Sequence, residues 1–478
     1  MLRLSSYTIV SEPLPGAEAV LLNGCSGAVD IIPPVLANLI TTAIEGSPHG
    51  QAFLDEAMLH PDTCASFLER GHLTRHSHEA EKGLVAEIAR GLHEVELSRP
   101  RFMIAPNMDC NYRCTYCFER HVQNTLKSET AAISYHNNNV FMPRAAVPRI
   151  YDCIEAIQRN AGQDRGGLII LYGGEPLDAE NRELVFDIVE TGKSKGYFFA
   201  AITNGHDLDR FLPIVGRGML TQIQISVDGP KAVHDKRRIH RGRESSFDKI
   251  MANIDKALAC DGAEVQLRVH VDPSNIHHFE EVLGLFKEKG WTNRAGVVIY
   301  ANTVYEKDDA GRVAADIEVG EIARRLDAIA GPYENVFTSA PAVHASRAIE
   351  PAFAGERFAL KGTYCSANTG NYIFAPDGAI YACWESIGKP CSKVGTYSSN
   401  SGLVLDEAAA KRWFGRNVAE IGDCLECEYA LVCGGGCAQY AEYNASSLYK
   451  PYCDDFQRTF RLALMDEVAR RASLVPPG

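Results

Sequence analysis

The stretch Cys110-Asn-Tyr-Arg-Cys114-Thr-Tyr-Cys117-Phe118 decides how the rest of the chain is read. Its uneven spacing offers three thiolates from one short loop to one iron–sulfur cluster, whereas a four-iron cluster held wholly by protein takes four cysteines. Three ligands leave one iron open, and an open iron can bind and reduce a small molecule. The competing reading is three unrelated cysteines in a loop.

A second group lies near the C-terminus. Cys365 is followed by twelve residues, Gly378, four residues and Cys383; then come Cys424-x2-Cys427-x5-Cys433-x3-Cys437, fifteen residues and Cys453. A zinc ribbon competes, since paired knuckles also build tetrahedral zinc. The order here is asymmetric, where zinc calls for four or eight ligands in symmetric pairs.

The C-x3-C-x2-C run, with Tyr116 before its last cysteine and Phe118 after it, resembles the radical S-adenosylmethionine (AdoMet) superfamily, and the seven C-terminal cysteines resemble its SPASM extension. The resemblance runs from Arg101 to the end of the chain. It implies three [4Fe-4S] clusters and AdoMet, bound at the open iron and cleaved reductively to a 5'-deoxyadenosyl radical. Cys110, Cys114 and Cys117 are then the ligands of the AdoMet cluster. Cys424, Cys427, Cys433 and Cys453 would hold a distal auxiliary cluster, and Cys365, Cys383 and Cys437 a proximal one. The proximal set is one cysteine short, and Cys391 is a candidate fourth ligand that the motif does not specify.

The segment from about residue 101 to 300 alternates short apolar runs with longer amphipathic ones. Arg101 to Ala105, Leu168 to Tyr172, Phe198 to Thr203, Gln222 to Val227, Glu264 to Val271 and Gly296 to Tyr300 read as strands; Asn181 to Lys195, Phe247 to Ala259 and Asn275 to Lys289 read as helices. This is the pattern of a parallel α/β sheet, and six repeats match the partial (βα)6 barrel of the superfamily. Gly173-Gly174-Glu175-Pro176, after the second strand, resembles the family loop that meets the AdoMet amino group. Asn204 and Asp228, after the third and fourth strands, and Ser226, the better candidate ligand, resemble positions facing the AdoMet ribose and carboxylate. Ordinary Asn-Gly and Asp-Gly turn chemistry explains the first two equally well. Arg238 resembles the arginine that pairs with the AdoMet carboxylate. The basic stretch around it, Lys231 to Arg243, reads either as a solvated loop or as an anion clamp.

Residues 1–95 precede the barrel. Tyr7 to Val10 and Ala19 to Asn23 read as a hairpin, Pro34 to Ala43 and Asp62 to Arg70 as helices, and Leu73 to Arg75 as a wing, together a winged-helix-like domain. Asp62 to Arg70 is not a basic recognition helix, which argues against DNA. In peptide-modifying relatives a similar domain holds a precursor's leader by strand addition. The expected organisation is therefore 1–95 peptide recognition, 96–305 radical AdoMet barrel, 306–360 connection and 361–478 SPASM domain, closing with a helix from about Asp455 to Arg471.

The 478 residues, 46% hydrophobic and 23% charged, describe a folded protein of two or three domains. Neither a membrane span nor a signal peptide is evident, and a reducing cytoplasm suits fifteen cysteines of which ten fall in cluster motifs. A net charge of -13 argues against general nucleic-acid affinity. The resemblance implies a maturase that cross-links a ribosomally made precursor peptide by a thioether or carbon–carbon bond, served by an external donor such as flavodoxin or ferredoxin. The alternatives are an anaerobic sulfatase maturase and a non-enzymatic iron–sulfur electron carrier. No acid or base is assignable: Tyr116, Tyr172, Tyr300, Glu385 and Tyr440 qualify by type alone.

Overall fold

The structure is a computed structural model that describes residues 2–11, 18–45, 59–117, 119, 141–304, 326, 329–330, 333–337, 357–399, 402–453, 456–458, 460–461 and 464–465. The chain divides into two compact units. One comprises Met1–Val95, Ala340–Asn368 and Arg416–Gly478; the other comprises Glu96–Ser339 and Thr369–Gly415.

In the first unit, β1 (Arg3–Leu4), β2 (Thr8–Val10), β3 (Ala19–Asn23) and β4 (Val29–Ile32) are followed by α1 (Pro34–Glu45), α2 (Pro61–Arg70), β5 (Leu73–Thr74) and α3 (His78–Leu97). Strands β2, β3 and β4 form an antiparallel meander, so the expected hairpin gains a third strand. The expected wing is instead β5 paired antiparallel with β1, Leu4 opposite Leu73. Helix α2 stops at Gly71, whose φ of 86° is the left-handed conformation a helix end favours.

Strand β3 is buried throughout, and its alternation of faces explains why. Ala19 and Leu21 pack with Leu2, Ile32, Ile40 and Phe67 of the N-terminal segment. Val20 and Leu22 pack on the other side with Ile9, Phe358, Tyr429, Val432, Phe460 and Leu464. The N-terminal sheet and the segment carrying Cys424 to Cys437 therefore share a core. Residues 1–95 thus share one compact unit with Ala340–Asn368 and Arg416–Gly478.

Among the described residues the second unit is built on eleven strands. In spatial order these are β12 (Val336–Phe337), β11 (Val297–Thr303), β10 (Glu264–Val271), β9 (Leu220–Ser226), β8 (Tyr197–Thr203), β7 (Gly167–Leu171), β6 (Arg101–Ile104), β13 (Asn371–Phe374), β14 (Ala379–Tyr381), β15 (Lys393–Ser399) and β16 (Gly402–Leu405). The run from β12 to β13 is parallel and the last three pairings are antiparallel. The six expected strands are the six central ones, and helices Val147–Asn160, Arg182–Ser194, Phe247–Leu258 and Phe279–Glu288 lie between them in the chain. Thr369–Gly415, expected with the C-terminal segment, belongs to this unit instead. The cause is β13, which pairs with β6 from Asn371 opposite Arg101 to Phe374 opposite Ile104. Most of the expected closing helix and of 306–360 lies outside the described residues.

The shared core makes a specific prediction. Leu22 has no exposed surface, so Leu22→Ala should cost about 2–5 kcal/mol in urea unfolding. It should also speed hydrogen exchange at Tyr429 to Cys433. An autonomous N-terminal domain would leave that segment unchanged.

Candidate active site

Parallel pairing brings the C-terminal ends of β6 to β11 to one side of the sheet, and loops at such ends carry chemistry in barrel-like folds. The cysteine loop leaves β6 there. Cys110 Sγ accepts the Tyr112 N–H at 3.3 Å, and Cys117 N–H meets the Cys114 carbonyl at 3.4 Å. The loop is strapped along one edge by residues 237–241. Arg113 N–H donates to Ile239 O at 2.7 Å, Thr115 N–H to Arg237 O at 2.9 Å and Arg241 N–H to Asn111 O at 2.8 Å. The basic stretch is thus neither a plain solvated loop nor a simple clamp. Lys236 and Arg243 face solvent, while Arg238 is buried against the cysteine loop.

The Gly173–Pro176 loop packs closely against the protein backbone. A Cβ at Gly173 or Gly174 would overlap the carbonyl of Asn107 or Asp109, so glycine is what lets the loop close onto the backbone that leads into Cys110. Glu175 is buried, and its carboxylate accepts Thr203 Oγ1 at 2.5 Å, Asn204 N–H at 2.7 Å and Leu177 N–H at 2.9 Å. Burial raises its pKa to about 7 against the lowering effect of those bonds. It joins the ends of β7 and β8. Pro176 is buried beside it, and its carbonyl accepts Asn181 Nδ2 at 3.5 Å. Asn204 in turn donates to Asn111 Oδ1 at 2.7 Å, and its Nδ2 stands 3.9 Å from Cys110 Sγ.

Asp228 has no exposed surface. Its carboxylate accepts the Tyr116 hydroxyl, the His270 N–H at 3.2 Å and the His270 ring at 3.0 Å, with Arg238 Nη1 3.9 Å away. Burial alone would raise its pKa, but His270 and Arg238 outweigh it and hold the group well below the usual carboxylate range. Arg238 Nη1 also donates to Tyr116 Oη at 2.6 Å. Tyr116 sits between Cys114 and Cys117, so this network fixes the middle of the cysteine loop. Ser226, at the end of β9, is buried.

Sequence reasoning missed Glu119, Arg268 and His270. Glu119 is buried with an unpartnered Oε1, and burial, Glu175 and Glu385 push its pKa to about 8. Tyr172 is raised by burial and by the carboxyls of Glu119 and Glu385, while Arg268 opposes the shift. Of the five residues that qualified by type, Tyr172 and Glu385 lie near Glu119, and Tyr116 belongs to the Asp228 network. Tyr300 is tied to Gln224 Oε1 at 2.5 Å, and Tyr440 lies in the other unit.

All described cysteines are free thiols. Among the described residues no three His, Cys, Asp or Glu side chains are arranged around a single ion. A cluster places each ligand on a separate iron, so its thiols stand farther apart than those of one ion. The thiols suit such a group. Burial, Glu119 and Cys114 push Cys117 to about 12, and burial, Cys433 and Cys427 push Cys424 to about 12, so their thiolate forms need a cation. In the second unit, Arg238 Nε, Arg237 Nε and Nη2, Arg268 Nε and Gln224 Nε2 are buried donors without hydrogen-bond partners among the described residues. Unmet donors of this kind fit a ligand carrying a carboxylate and hydroxyls, as AdoMet does. Of the C-terminal cysteines, Cys365, Cys424, Cys427, Cys433, Cys437 and Cys453 fall in the first unit, whereas Cys383 and Cys391 fall in the second.

Residues 105–286 match the sequence profile of the Radical SAM superfamily. The chain carries a radical SAM domain. Over 181 residues the chain is 26% identical to a cysteine-type anaerobic sulfatase-maturating enzyme of Clostridium novyi, a match covering 38% of the chain and about half, 46%, of that relative. It is 20% identical over 423 residues to the radical SAM cyclopropyl synthase TigE of Paramaledivibacter caminithermalis, covering 84% of the chain and 83% of TigE. Among solved structures, native anSMEcpe with bound AdoMet superposes with a TM-score of 0.55 at 15% identity, covering 78% of this chain and 99% of that one. Streptococcus suis SuiB bound to precursor peptide SuiA superposes at 0.50 and 13% identity, covering 95% and 99%. These two show a shared α/β fold with a large, mostly parallel sheet. Among the described residues no helix is long and apolar enough to cross a membrane.

Asp228→Asn should lower stability by about 3–5 kcal/mol in urea unfolding, because it leaves buried Arg238 without its charge partner. A depressed folded pKa stabilises above the ordinary carboxylate value of about 4 and loses that contribution as pH falls below it. The Asn variant should therefore lose less stability than the wild type between pH 5 and about 3. A parallel decline in both proteins would contradict the assignment.

Proposed function

We propose that the chain is a radical AdoMet peptide maturase. The observation that carries this reading is the cysteine loop at the C-terminal end of β6, strapped and braced beside buried donors that lack partners. Cys110, Cys114 and Cys117 would hold the AdoMet cluster. Ser226 and Arg238 would meet AdoMet directly, whereas Gly173, Gly174, Glu175, Pro176, Asn204 and Asp228 would act by holding the surrounding loops. When bound, these groups supply one-electron reductive cleavage of AdoMet and hydrogen abstraction from substrate carbon. Cys424, Cys427, Cys433 and Cys453, and Cys365, Cys383 and Cys437, would hold two auxiliary clusters that take up the electron left on substrate, and an external flavodoxin or ferredoxin would supply the first electron. The protein positions the reactants and excludes water from them.

A peptide substrate is supported by the likeness to SuiB, which extends over 95% of the chain and was solved with a precursor peptide bound. It is also supported by β4, an edge strand of the first unit on which Ile31 is 51% exposed, close to Val35 at 82%. An edge strand beside exposed apolar side chains suits strand addition by a leader. The sulfatase-maturase reading keeps support from the Clostridium novyi relative. A synthetic Cys- or Ser-containing sulfatase peptide converted to formylglycine would favour it.

Replacing Cys110, Cys114 and Cys117 together by Ala should remove about four of about twelve irons after anaerobic reconstitution. It should also abolish 5'-deoxyadenosine production, and continued production would sink the assignment. Ile31→Glu with Val35→Glu should raise KM for the full precursor at least about fivefold, roughly 1 kcal/mol of lost binding. Production of 5'-deoxyadenosine without peptide should not change. An unaltered KM would remove β4 as the leader site.

A further inference from the structure

Arg416 is one of the largest side chains in the protein with no exposed surface. Its Nη2 donates to Gly435 O at 2.8 Å and Lys450 O at 3.2 Å, its Nη1 to Gly436 O at 3.0 Å, and its Nε to Leu448 O. Every one of these acceptors is a neutral carbonyl. Among the described residues no carboxylate lies within ion-pair distance of it. A buried guanidinium without a counter-charge costs several kcal/mol even when its hydrogen bonds are made. The anionic candidates in its field are the thiols of Cys424, Cys365, Cys437 and Cys433, all in the same unit. They come from both auxiliary ligand sets.

The carbonyls it binds are also placed by the ligand loops. Gly435 and Gly436 lie between Cys433 and Cys437, with φ of 88° and 70°, and turn successive carbonyls toward the guanidinium. A Cβ at Gly436 would overlap the Tyr452 carbonyl, next to Cys453. Leu448 and Lys450 stand shortly before Cys453 in the chain. Arginine suits the position because five donors in a rigid plane bind several carbonyls at once while the charge is kept.

We infer that Arg416 is the built-in counter-cation of the auxiliary iron–sulfur clusters that these cysteines would hold and raises their reduction potential. The inference rests on the auxiliary clusters proposed above. A thiolate-ligated cluster gains negative charge on reduction, and a fixed positive charge in a water-poor interior favours that state. Arg416 would thereby make the clusters better acceptors for an electron leaving substrate. It is a positioning and potential-setting residue that need not touch substrate.

The test uses the full chain with Cys110, Cys114 and Cys117 replaced by Ala, so that only the C-terminal cysteines take up iron. Arg416→Gln and Arg416→Lys are compared with that parent by iron content, by circular dichroism for folding and by redox titration followed by electron paramagnetic resonance. The Gln variant should show an oxidised-to-reduced ratio at fixed potential raised at least tenfold, equivalent to a potential lower by about 59 mV for one electron. The Lys variant, which keeps the charge, should stay within about threefold of the parent, roughly half that interval. A folded Gln variant that binds no iron while Lys binds it would support the same conclusion. Unchanged iron and potential in the Gln variant would overturn it, as would equal iron loss in both variants, which would make the carbonyl bonds rather than the charge decisive. Should the Gln variant fail to fold, a tenfold shift in the Lys variant overturns the charge assignment and retention of the potential upholds it. A parent that takes up no iron would instead remove the auxiliary clusters themselves.

Discussion

Asp228 is a carboxylate with no contact with water, and its charge must be answered inside the protein. The answer comes from three places: Tyr116 in the cysteine loop, His270 near the end of β10 and Arg238 in the strap. Burying one charge thus fixes the relative positions of the segments that surround Cys114 and Cys117. Glu175 does the same job two strands away, joining the β7 loop to Thr203 and Asn204. Two buried acids hold the mouth of the sheet in shape, and the loops around them contain little regular structure that would do so otherwise. A preorganised site of this kind needs no rearrangement of its own to present three thiols and several unmet donors to a ligand.

The six central strands were legible because buried parallel strands are near-continuous apolar runs, and Glu264–Val271 has the bounds read from its sequence. The flanking strands were not, since Val336–Phe337 and Asn371–Phe374 are too short to carry a period and are recruited by the edges of an existing sheet. The cysteine loop and the Gly173–Pro176 loop stood out by spacing, but the packing of the latter did not. Its glycines meet backbone, and Glu175 is spent on neighbouring loops. Asp228 read either as an AdoMet-facing position or as Asp-Gly turn chemistry, and its network was not legible because its partners Tyr116 and His270 are 112 and 42 residues away. Glu119 and Arg416 gave no local pattern at all. Each is defined by what burial leaves unpaired.

The first unit changes how the N-terminal segment is understood. A winged-helix-like domain read from sequence is a module, whereas the structure gives β3 two buried faces and spends one of them on the cysteine-bearing segment. Tyr7 adds a hydrogen bond from its hydroxyl to Leu425 O at 2.7 Å, one residue from Cys424. His78 and Lys82 of α3 both reach Glu426, between Cys424 and Cys427. Side chains that fix the N-terminal sheet thus also fix the loop expected to ligate an auxiliary cluster. Peptide recognition at β4 and electron acceptance at these cysteines would then belong to one cooperative body.

The central claim is that Cys110, Cys114 and Cys117 leave one iron of a four-iron cluster open to AdoMet. It is tested most directly by electron paramagnetic resonance on the reduced, anaerobically reconstituted full chain before and after AdoMet is added. The account predicts that the signal removed by the Cys110/Cys114/Cys117→Ala substitution is the one that AdoMet alters, while the remaining signals stay unchanged. A signal from those three cysteines that is indifferent to saturating AdoMet would contradict it.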